Sequence, residues 1–393
     1  MTGNNVFIIG SGITKFGENY EVNASNLASQ SLNSAIADSK IEKNFIDIAF
    51  FGSLVSGSNS QSSIGASCLA NCNLNIPHVR IEAGNASGAA AFHQAYLSIL
   101  SGAYDCVAVI GIEKLSDFVN VGSIERILSS TFDYQWEFEM GATLTSLYAL
   151  LTKAHMKEYD TTMEQLASVP VKNHKNGVHN PYAQFRKEIS LERFLNAKRI
   201  ADPIGKFDPA TFCDGSATAI LASDKFIKQN KEIESKIPIL GSSFAADYLA
   251  LHKRNSLTEM VSTRKAATGA YKMSNIKPEE INVAEVHDAY PIGEILAIED
   301  LGFFKKGEGG KASENGFTSL NEQISVNTSG GLKARGDPYG ATGIAQIIEI
   351  VEQIRGDAGE RQIDSVKYGL AHNVMGTGAL AYVNIMGEEE VKR

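Results

Sequence analysis

The sequence predicts an α/β protein made of layers of sheet and helix and divided into two similar halves. Apolar runs typical of strands alternate with amphipathic helical segments along most of the 393 residues. The strand-like runs are apolar at consecutive positions, as expected where both faces of a sheet are covered. Residues 39–49 read SKIEKNFIDIA and residues 274–284 read SNIKPEEINVA, at an offset of 235. Two weaker matches flank this one: residues 8–11 match 239–242 upstream, and residues 85–88 match 327–330 downstream. The three matched segments occur in the same order in both parts of the chain. Two copies of one unit are therefore expected to pack about a pseudo-dyad.

The two halves are predicted to contain similar elements. In the first half we predict strands at 6–9, 46–51 and 106–112 and helices at 24–37 and 86–101. In the second half we predict strands at 237–240, 281–286, 368–372 and 379–386 and a helix at 343–355. The expected domains are an N-terminal half of residues 1–115 and 209–236, an inserted loop domain of residues 116–208 and a C-terminal half of residues 237–393.

The inserted loop domain differs in composition from the two halves. It holds the single tryptophan, Trp136, and a basic stretch, VKNHK, at 171–175. Long insertions in α/β folds often form lids or binding loops above the sheet. The lysines and arginines of this segment either bind a phosphorylated ligand or belong to an ordinary solvated surface.

The amino-acid composition limits the binding partners and the cellular compartment that can be expected. The chain has 36 Lys and Arg against 45 Asp and Glu, a formal net charge of −9, so we expect no nucleic-acid partner. Four cysteines are too few and too irregularly spaced for a disulfide framework in a chain of this size, which indicates a cytoplasmic protein. No run approaches the roughly 18 apolar residues that a membrane span needs, so no membrane association is expected.

A turn rich in small residues is the first candidate for chemistry. Residues 81–90 read IEAGNASGAA, where a predicted strand ends and a long helix begins. Small residues allow a side chain to be exposed at a helix N-terminus, where main-chain N–H groups stabilise a developing anion. The alternative is that the glycines only permit close helix packing.

Three later segments also place polar side chains beside glycines. They are VHDAYPIGE at 286–294, NTSGGLKARGDPYGATG at 327–343 and LAHNVMGTG at 370–378. In this order, and with GIEKLS at 111–116, they resemble the thiolase superfamily, in particular its sterol-carrier-protein-type and archaeal acetyl-CoA acetyltransferase-like members. The resemblance implies a five-layer αβαβα fold of two similar halves with an inserted loop domain. It also implies a homodimer or tetramer that takes acyl-coenzyme A as substrate, with no further cofactor and no metal.

Two positions depart from the family pattern. Where the family has the cysteine that accepts the acyl group, this chain has Asn85, and a carboxamide cannot form the thioester. Where the family has histidine in a Gly-His-Pro turn, this chain has Asp337. By sequence, none of the four cysteines replaces the missing thiol; they are Cys68, Cys72, Cys106 and Cys213.

The resemblance assigns roles to individual residues. It gives catalytic roles to Asn85, His287, Asp337 and His372. His287 would help to form an oxyanion hole and His372 would be the second acid/base group, the alternative for His372 being a satisfied histidine at a strand end. Substrate contacts are expected from Tyr290, Asn327, Ser329, Gly330, Tyr339 and Gly376.

The sequence leaves several functions open, and with them the question of whether the chain is an enzyme. The main expectation is a thiolase-like protein that acts on acyl-CoA without covalent acyl transfer through cysteine. The first alternative is a carbon-carbon lyase, either retro-aldol or decarboxylating. Family members that lack the cysteine act as aldolases, using tyrosines and a small partner with a zinc ribbon and an OB-fold, and Tyr290 and Tyr339 fit this alternative. The second alternative is a non-catalytic CoA-binding subunit of a thiolase or synthase complex.

Overall fold

The secondary structure follows the predicted alternation of strands and helices. The computed structural model describes residues 5–54, 63–118 and 121–388. Its strands, in chain order, are β1 (Val6–Ile13), β2 (Ile48–Gly52), β3 (His78–Ile81), β4 (Cys106–Glu113), β5 (Arg199–Ala201), β6 (Ile204–Gly205), β7 (Gly215–Ser223), β8 (Ile237–Ala246), β9 (Val283–Glu285), β10 (Ser325–Val326), β11 (Tyr368–Met375) and β12 (Leu380–Gly387). Its α-helices are α1 (Ala24–Ser39), α2 (Ile64–Asn71), α3 (Ser87–Leu100), α4 (Val121–Leu128), α5 (Leu144–Tyr159), α6 (Met163–Gly177), α7 (Leu191–Leu195), α8 (Asp224–Gln229), α9 (Val261–Ser274), α10 (Pro291–Asp300), α11 (Gly309–Glu314), α12 (Gly331–Arg335) and α13 (Thr342–Arg355).

The strand order confirms that the chain is built from two similar halves. One sheet has the order β10-β9-β11-β12-β8-β1-β7-β4-β2-β3. Outward from the β1–β8 contact, the first half runs β1, β7, β4, β2, β3 and the second half runs β8, β12, β11, β9, β10. In each half the strand that comes first in the chain, β1 or β8, lies at the centre of the sheet. The edge strand of each half, β3 or β10, is parallel to its neighbour. This symmetry is the pseudo-dyad that the repeat predicts.

The repeated segment also matches in detail. Helix α1 ends at Ser39, followed by Lys40 in the left-handed region (φ 57). Helix α9 ends at Ser274, followed by Asn275 with φ 55. A short 3-10 turn follows each helix, and β2 and β9 then begin at equivalent positions. The two segments therefore fold alike although few of their residues are identical.

Helices and strands alternate in five layers. Helices α3 and α13 pack against each other and against strands of both halves, and they form the central layer. Gly343 of α13 lies so close to α3 that a Cβ atom there would be 2.7 Å from the main-chain nitrogen of Ala89. Helix α1 covers β1 and β7 on one outer face, and α9 covers β8 and β12 on the other. The two sheet regions are thus covered on both faces, which explains their continuous apolar strands.

The inserted segment packs mainly on the second half. Helix α6 lies against α10, α11 and α12. Lys172 of α6 forms a buried ion pair with Glu294 (3.0 Å), and the side-chain amide of Asn173 donates to Asp288 (2.7 Å). The basic stretch at 171–175 is therefore partly internal and ties the insertion to the core. Within the described residues, no helix is both long enough and apolar enough to cross a membrane.

Candidate active site

A pocket of ≈ 210 Å³ lies where the inserted segment meets the two halves. The predicted site residues that line it are Asn85, Tyr290, Asp337 and Tyr339. The rest of its wall is mainly apolar and consists of Ile124, Glu125, Leu128, Phe132, Phe138, Thr143, Leu144, Thr145, Pro209, Ala210, Phe212 and Ala289. A few polar groups converging in an apolar pocket are typical of a small-molecule site.

Asn85 is held in one orientation beside the N-terminus of α3. It lies two residues before Ser87, the first residue of that helix. The main-chain N–H of Gly376 donates to Oδ1 of Asn85 (2.9 Å), and Nδ2 of Asn85 lies 3.3 Å from Nε2 of His287. The carboxamide therefore directs its NH₂ group away from Gly376 and toward His287, near the positive end of the helix dipole.

Gly376 can hold Asn85 only because it is a glycine. Its φ is 56, and a Cβ atom there would be 2.1 Å from the carbonyl oxygen of Thr131. Its own carbonyl oxygen accepts a hydrogen bond from the Tyr148 hydroxyl (2.8 Å). The predicted site residue Gly376 thus acts on the pocket through Asn85.

His287 is buried between two carboxamides. Its Nε2 faces Asn85, and its Nδ1 lies 3.1 Å from Nδ2 of Asn373. Burial, and to a smaller extent the nearby His372, lowers the pKa of His287 to about 3. The imidazole is therefore neutral at physiological pH, and one of its two nitrogens is a donor while the other is an acceptor.

The turn that carries Asp337 and Tyr339 comes from the second half and packs against the first. The Gly340 carbonyl oxygen would lie 2.3 Å from a Cβ atom added to Gly88 of α3 or to Gly111 of β4. Any side chain at those two positions would push the turn away. The glycines of both halves thus bring Asp337 into the pocket that Asn85 lines.

Asp337 has the properties of a proton acceptor near neutral pH. Burial raises the pKa of its carboxyl to about 6, although the hydrogen bond from the Thr342 hydroxyl to Oδ1 (2.6 Å) acts in the opposite direction. A general base works best when its pKa lies near the working pH. Asp337 is therefore the best placed acid/base group of the pocket.

Tyr339 and Tyr290 bring two phenol groups to the same pocket. Tyr339 has φ 25, a backbone conformation that costs energy for any residue except glycine and that is common at functional sites. Burial raises the pKa of Tyr339 well above its usual value, and nearby Asp337 and Tyr290 raise it further. The Tyr290 ring stacks on Tyr148 at 4.2 Å, and the Tyr290 hydroxyl lies 2.8 Å from Oγ1 of Thr145.

The structure does not place Asn327, Ser329 and Gly330, which were expected to contact substrate, in the lining of this pocket. Oδ1 of Asn327 accepts from the Val286 main-chain N–H (2.8 Å), and its Nδ2 donates to Glu294 (2.7 Å). The Ser329 hydroxyl donates to Glu285 (2.6 Å). Gly330 lies against α6. Their polar groups are engaged inside the protein, away from the described pocket, and they fix the segment that carries His287.

The structure places His372 on the face of its strand opposite Asn373. Successive residues of a strand point to opposite faces, and His372 and Asn373 are neighbours on β11. Asn373 points to His287, whereas Nε2 of His372 lies 2.9 Å from Oγ1 of Thr263 on α9. His372 does not line the described pocket, and neither does His287, which lies behind Asn85. This placement does not make it a fully satisfied histidine, because among the described residues the buried Nδ1 of His372 has no hydrogen-bond partner.

Sequence reasoning missed several residues of this site. Asn373 belongs to the quoted His-Asn motif, and strand alternation was the signal that could have selected it over His372. The Thr342 hydroxyl donates a hydrogen bond to Asp337, five residues earlier in the chain, and no sequence motif predicts this contact. The apolar wall from Ile124 to Leu144 lies in the inserted segment, whose helical faces cannot be oriented without knowing what they pack against.

Comparisons with known proteins agree with this architecture. The family model "Thiolase, N-terminal domain" matches residues 6–224, and "Thiolase C-terminal domain-like" matches residues 243–388. An acetyl-CoA acetyltransferase of Methanothermobacter thermautotrophicus is 40% identical over 97% of this chain and 98% of its own length. Sterol carrier protein 2 of Bos taurus is 31% identical over 99% of this chain and 74% of its own length.

Solved structures show the same fold. The Ltp2-ChsH2(DUF35) aldolase matches with a TM-score of 0.85 and 22% identity over 98% of both chains. Human mitochondrial 3-ketoacyl-CoA thiolase matches with a TM-score of 0.75 and 14% identity, covering 98% of this chain and 99% of its own. Since a thiolase family model covers more than half of the sequence and a 40% identical relative aligns along almost all of it, the chain belongs to the thiolase superfamily.

Proposed function

We propose that the chain is a carbon-carbon lyase that cleaves β-hydroxyacyl-CoA thioesters by a retro-aldol reaction, rather than a thiolase that uses a covalent acyl-enzyme. The observation that carries this proposal is the pairing of a carboxamide, Asn85, with a carboxyl group of near-neutral pKa, Asp337, in one apolar pocket. A retro-aldol reaction needs a base and an oxyanion hole but no nucleophile. The pocket offers a base in Asp337 and an N–H donor in Asn85, and within the described residues no cysteine lines it.

The carboxamide side of the pocket would bind the thioester carbonyl. Asn85 presents its NH₂ group beside His287, and both side chains are almost fully buried. N–H groups fixed in a site that excludes water stabilise an enolate oxygen far more than they would in water. The N-terminus of α3 adds a favourable dipole at the same position.

The other side of the pocket would handle the proton. The ionised Asp337 carboxylate takes the proton of the β-hydroxyl group. The bond between Cα and Cβ then breaks, the β-carbon becomes the carbonyl of a ketone or aldehyde, and the electron pair becomes the thioester enolate. Asp337 then returns the proton to Cα, either directly or through Tyr339, which gives its hydroxyl proton to Cα and takes the proton of Asp337 in its place. This step completes the shorter acyl-CoA and restores the starting ionisation state of both residues. No oxidant, reductant or metal is required.

The apolar wall favours a hydrophobic acyl group as substrate. Aromatic and aliphatic side chains from the inserted segment surround the pocket, among them Phe132, Phe138 and Leu144. Apolar surface of this kind stabilises a bound alkyl or ring group by about 25 cal/mol per Å² that it removes from water. A bulky β-carbon substituent is therefore expected to bind better than a hydrogen or a methyl group.

Product analysis of wild type tests the proposal directly. A β-hydroxyacyl-CoA with an apolar β-substituent should yield a shorter acyl-CoA and a ketone or aldehyde in equal amounts, without added free CoA. Asp337→Asn should lower kcat by about 10²- to 10⁴-fold, as expected when a general base is removed. Asp300→Asn is the matched control, since burial also raises the pKa of Asp300 to about 6 but Asp300 caps Met260 away from the pocket. Equal loss in both variants would contradict the assignment of Asp337.

The second candidate is the thiolase reaction, which the 40% identical acetyl-CoA acetyltransferase favours. It predicts cleavage of acetoacetyl-CoA that depends on free CoA. Turnover of this substrate by wild type would contradict the lyase proposal. Binding of acyl-CoA without turnover of either substrate would instead indicate a non-catalytic CoA-binding subunit.

We also propose two protein partners. The first is a second copy of the chain, because β3 is an edge strand that pairs with β2 alone among the described strands, and its Val79 side chain is 46% exposed. Open edge strands pair readily with other strands.

The second partner is a small protein with a zinc ribbon and an OB-fold, since the aldolase of the same fold is a complex with ChsH2(DUF35). Light scattering gives the molar mass of the chain in solution and so tests for the dimer. The same measurement on the chain co-expressed with a partner of that type tests for the complex.

A further inference from the structure

Asp337 is held by two groups from different parts of the chain. Its main-chain N–H donates to the carbonyl oxygen of Thr211 (3.2 Å), and the neighbouring Phe212 forms a parallel bridge with it. The Thr342 hydroxyl donates to Oδ1 of its carboxylate (2.6 Å). The first contact fixes the backbone of the turn, and the second fixes the rotation of the side chain. The direction in which the carboxylate faces therefore depends on Thr342.

Thr342 is itself held rigidly. It is the first residue of α13 and is 0% exposed. The next residue, Gly343, packs so closely on α3 that this end of the helix cannot shift without a clash. A β-branched side chain in a helix also has few allowed rotamers. A distance of 2.6 Å is typical of a hydroxyl that donates to an ionised carboxylate. Thr342 is thus a fixed donor for the base of the pocket.

We propose that Thr342 is a positioning residue that occupies Oδ1 of Asp337 and leaves Oδ2 as the oxygen that takes the proton of the substrate. Asp337 lines the pocket, and no side chain of the described residues donates a hydrogen bond to its Oδ2. The carboxylate cannot turn away from the pocket without breaking its bond to Thr342. This role rests on the proposed function for its purpose, because only a base needs a free oxygen, but not for its test.

The same hydrogen bond sets the strength of the base. Burial raises the pKa of Asp337, and the Thr342 hydroxyl opposes this effect, so that the result is about 6. A donor to a carboxylate stabilises the ionised form, as does the N-terminus of α13. Removing the hydroxyl should therefore raise the pKa of Asp337 further, by about one unit. The fraction of enzyme with an ionised base would then fall near neutral pH.

The other groups near Asp337 do not titrate near neutral pH. Arg335 carries a permanent positive charge and lowers the pKa of Asp337. The remaining neighbours have pKa values raised by burial and stay neutral; they are Tyr148, Tyr290, Tyr339 and Cys213. A change in the pH profile of a Thr342 variant would therefore belong to Asp337.

The test measures the ionisation of Asp337 directly. Protein labelled with ¹³C at the aspartate carboxyl carbon is titrated by NMR without substrate, and Asp337→Asn identifies the signal. We expect the pKa of Asp337 to rise by about one unit in Thr342→Val and to stay at its wild-type value in Thr342→Ser, which keeps the hydroxyl. With a β-hydroxyacyl-CoA as probe, the acid limb of the kcat/KM profile should move up equally in Thr342→Val. Its plateau kcat should fall by about 10- to 100-fold because the base is no longer oriented.

A matched variant separates this effect from general damage to the core. Thr218 on β7 is also 0% exposed, its hydroxyl lies 2.7 Å from that of Ser31, and it does not line the pocket. Thr218→Val should leave the pKa of Asp337 and the pH profile unchanged. A folded Thr342→Val with an unchanged pKa of Asp337, or an equal rise in Thr342→Ser, would overturn the role of Thr342. A rise in Thr342→Val alone, without lyase activity in wild type, would keep that role and refute the proposed function.

Discussion

The main-chain N–H of Gly376 donates to Oδ1 of Asn85 across 2.9 Å and joins the β11–β12 turn of the second half to the start of α3 in the first. The contact lies between residues that are 291 positions apart in the chain. It decides which end of the carboxamide faces the pocket. The chemistry of the site therefore depends on how the two halves are docked.

Replacing Gly376 by alanine should damage both stability and the site. A Cβ atom there would be 2.1 Å from the Thr131 oxygen, and φ 56 is strained for alanine. We expect a loss of about 1–3 kcal/mol in the free energy of unfolding, measured by denaturant titration. Gly356→Ala is the control, because its φ is 80 but no atom lies within 4 Å of the new Cβ. A Gly376→Ala variant no less stable than Gly356→Ala would contradict the predicted clash.

The pH profile of the wild-type enzyme should report on Asp337. The reaction needs the ionised carboxylate, and the pKa of Asp337 is raised to about 6. kcat/KM should therefore be constant above that pH and fall about tenfold per pH unit below it. His287, with its pKa lowered to about 3, stays neutral over this range and adds no second step. A profile that is flat down to about pH 4.5 would exclude Asp337 as the base.

The two pocket tyrosines should differ in importance. The Tyr290 hydroxyl forms a hydrogen bond with Thr145, and the Tyr290 ring packs on Tyr148. These contacts indicate that Tyr290 contributes to the structure of the pocket wall. Tyr339 lies in the strained turn next to Asp337. We expect Tyr339→Phe to lower kcat by about 10²-fold, in the range for a proton donor, and Tyr290→Phe to lower it less than about tenfold. The reverse order would move the proton-transfer role to Tyr290.

The sequence predicts the layers of the fold better than it predicts the site. Helix and strand periods, and a repeat that preserves the αL residues Lys40 and Asn275, follow from local chemistry, so the two halves could be predicted. Asn85 and Asp337 were found through the family resemblance, as the residues that stand in place of the cysteine and of the histidine in the Gly-His-Pro turn. His372 and Asn373 show the limit. Adjacent residues of a strand face opposite ways, and which face is the pocket depends on long-range packing.

Asn327 and Ser329 show a similar limit of sequence-based prediction. Asn327 and Ser329 lie in a motif rich in polar groups and glycine, which is typical of a binding loop, yet their partners are the buried carboxylates Glu294 and Glu285. A buried carboxylate needs hydrogen-bond donors just as a ligand does. Sequence alone cannot distinguish these two demands, since the acceptors lie 33 and 44 positions away.

Restoring the family residues should convert the site into a thiolase. In the double variant Asn85→Cys, Asp337→His, the new thiol would lie beside the N-terminus of α3 and near the Gly376 N–H, and both lower the pKa of a thiol. The new imidazole would lie in the same turn, held against Gly88 and Gly111 by Gly340. The double variant should therefore form an acetyl-enzyme from acetoacetyl-CoA and release it to free CoA, while retro-aldol activity is lost. Mass spectrometry of the intact protein detects the acetyl group.

The control variant Asn85→Ser, Asp337→His has side chains of similar shape but no thiolate, so it should form far less acetyl-enzyme. A folded double variant that binds acyl-CoA yet acquires no acetyl group would show that position 85 does not face the thioester, and the oxyanion role of Asn85 would fail with it.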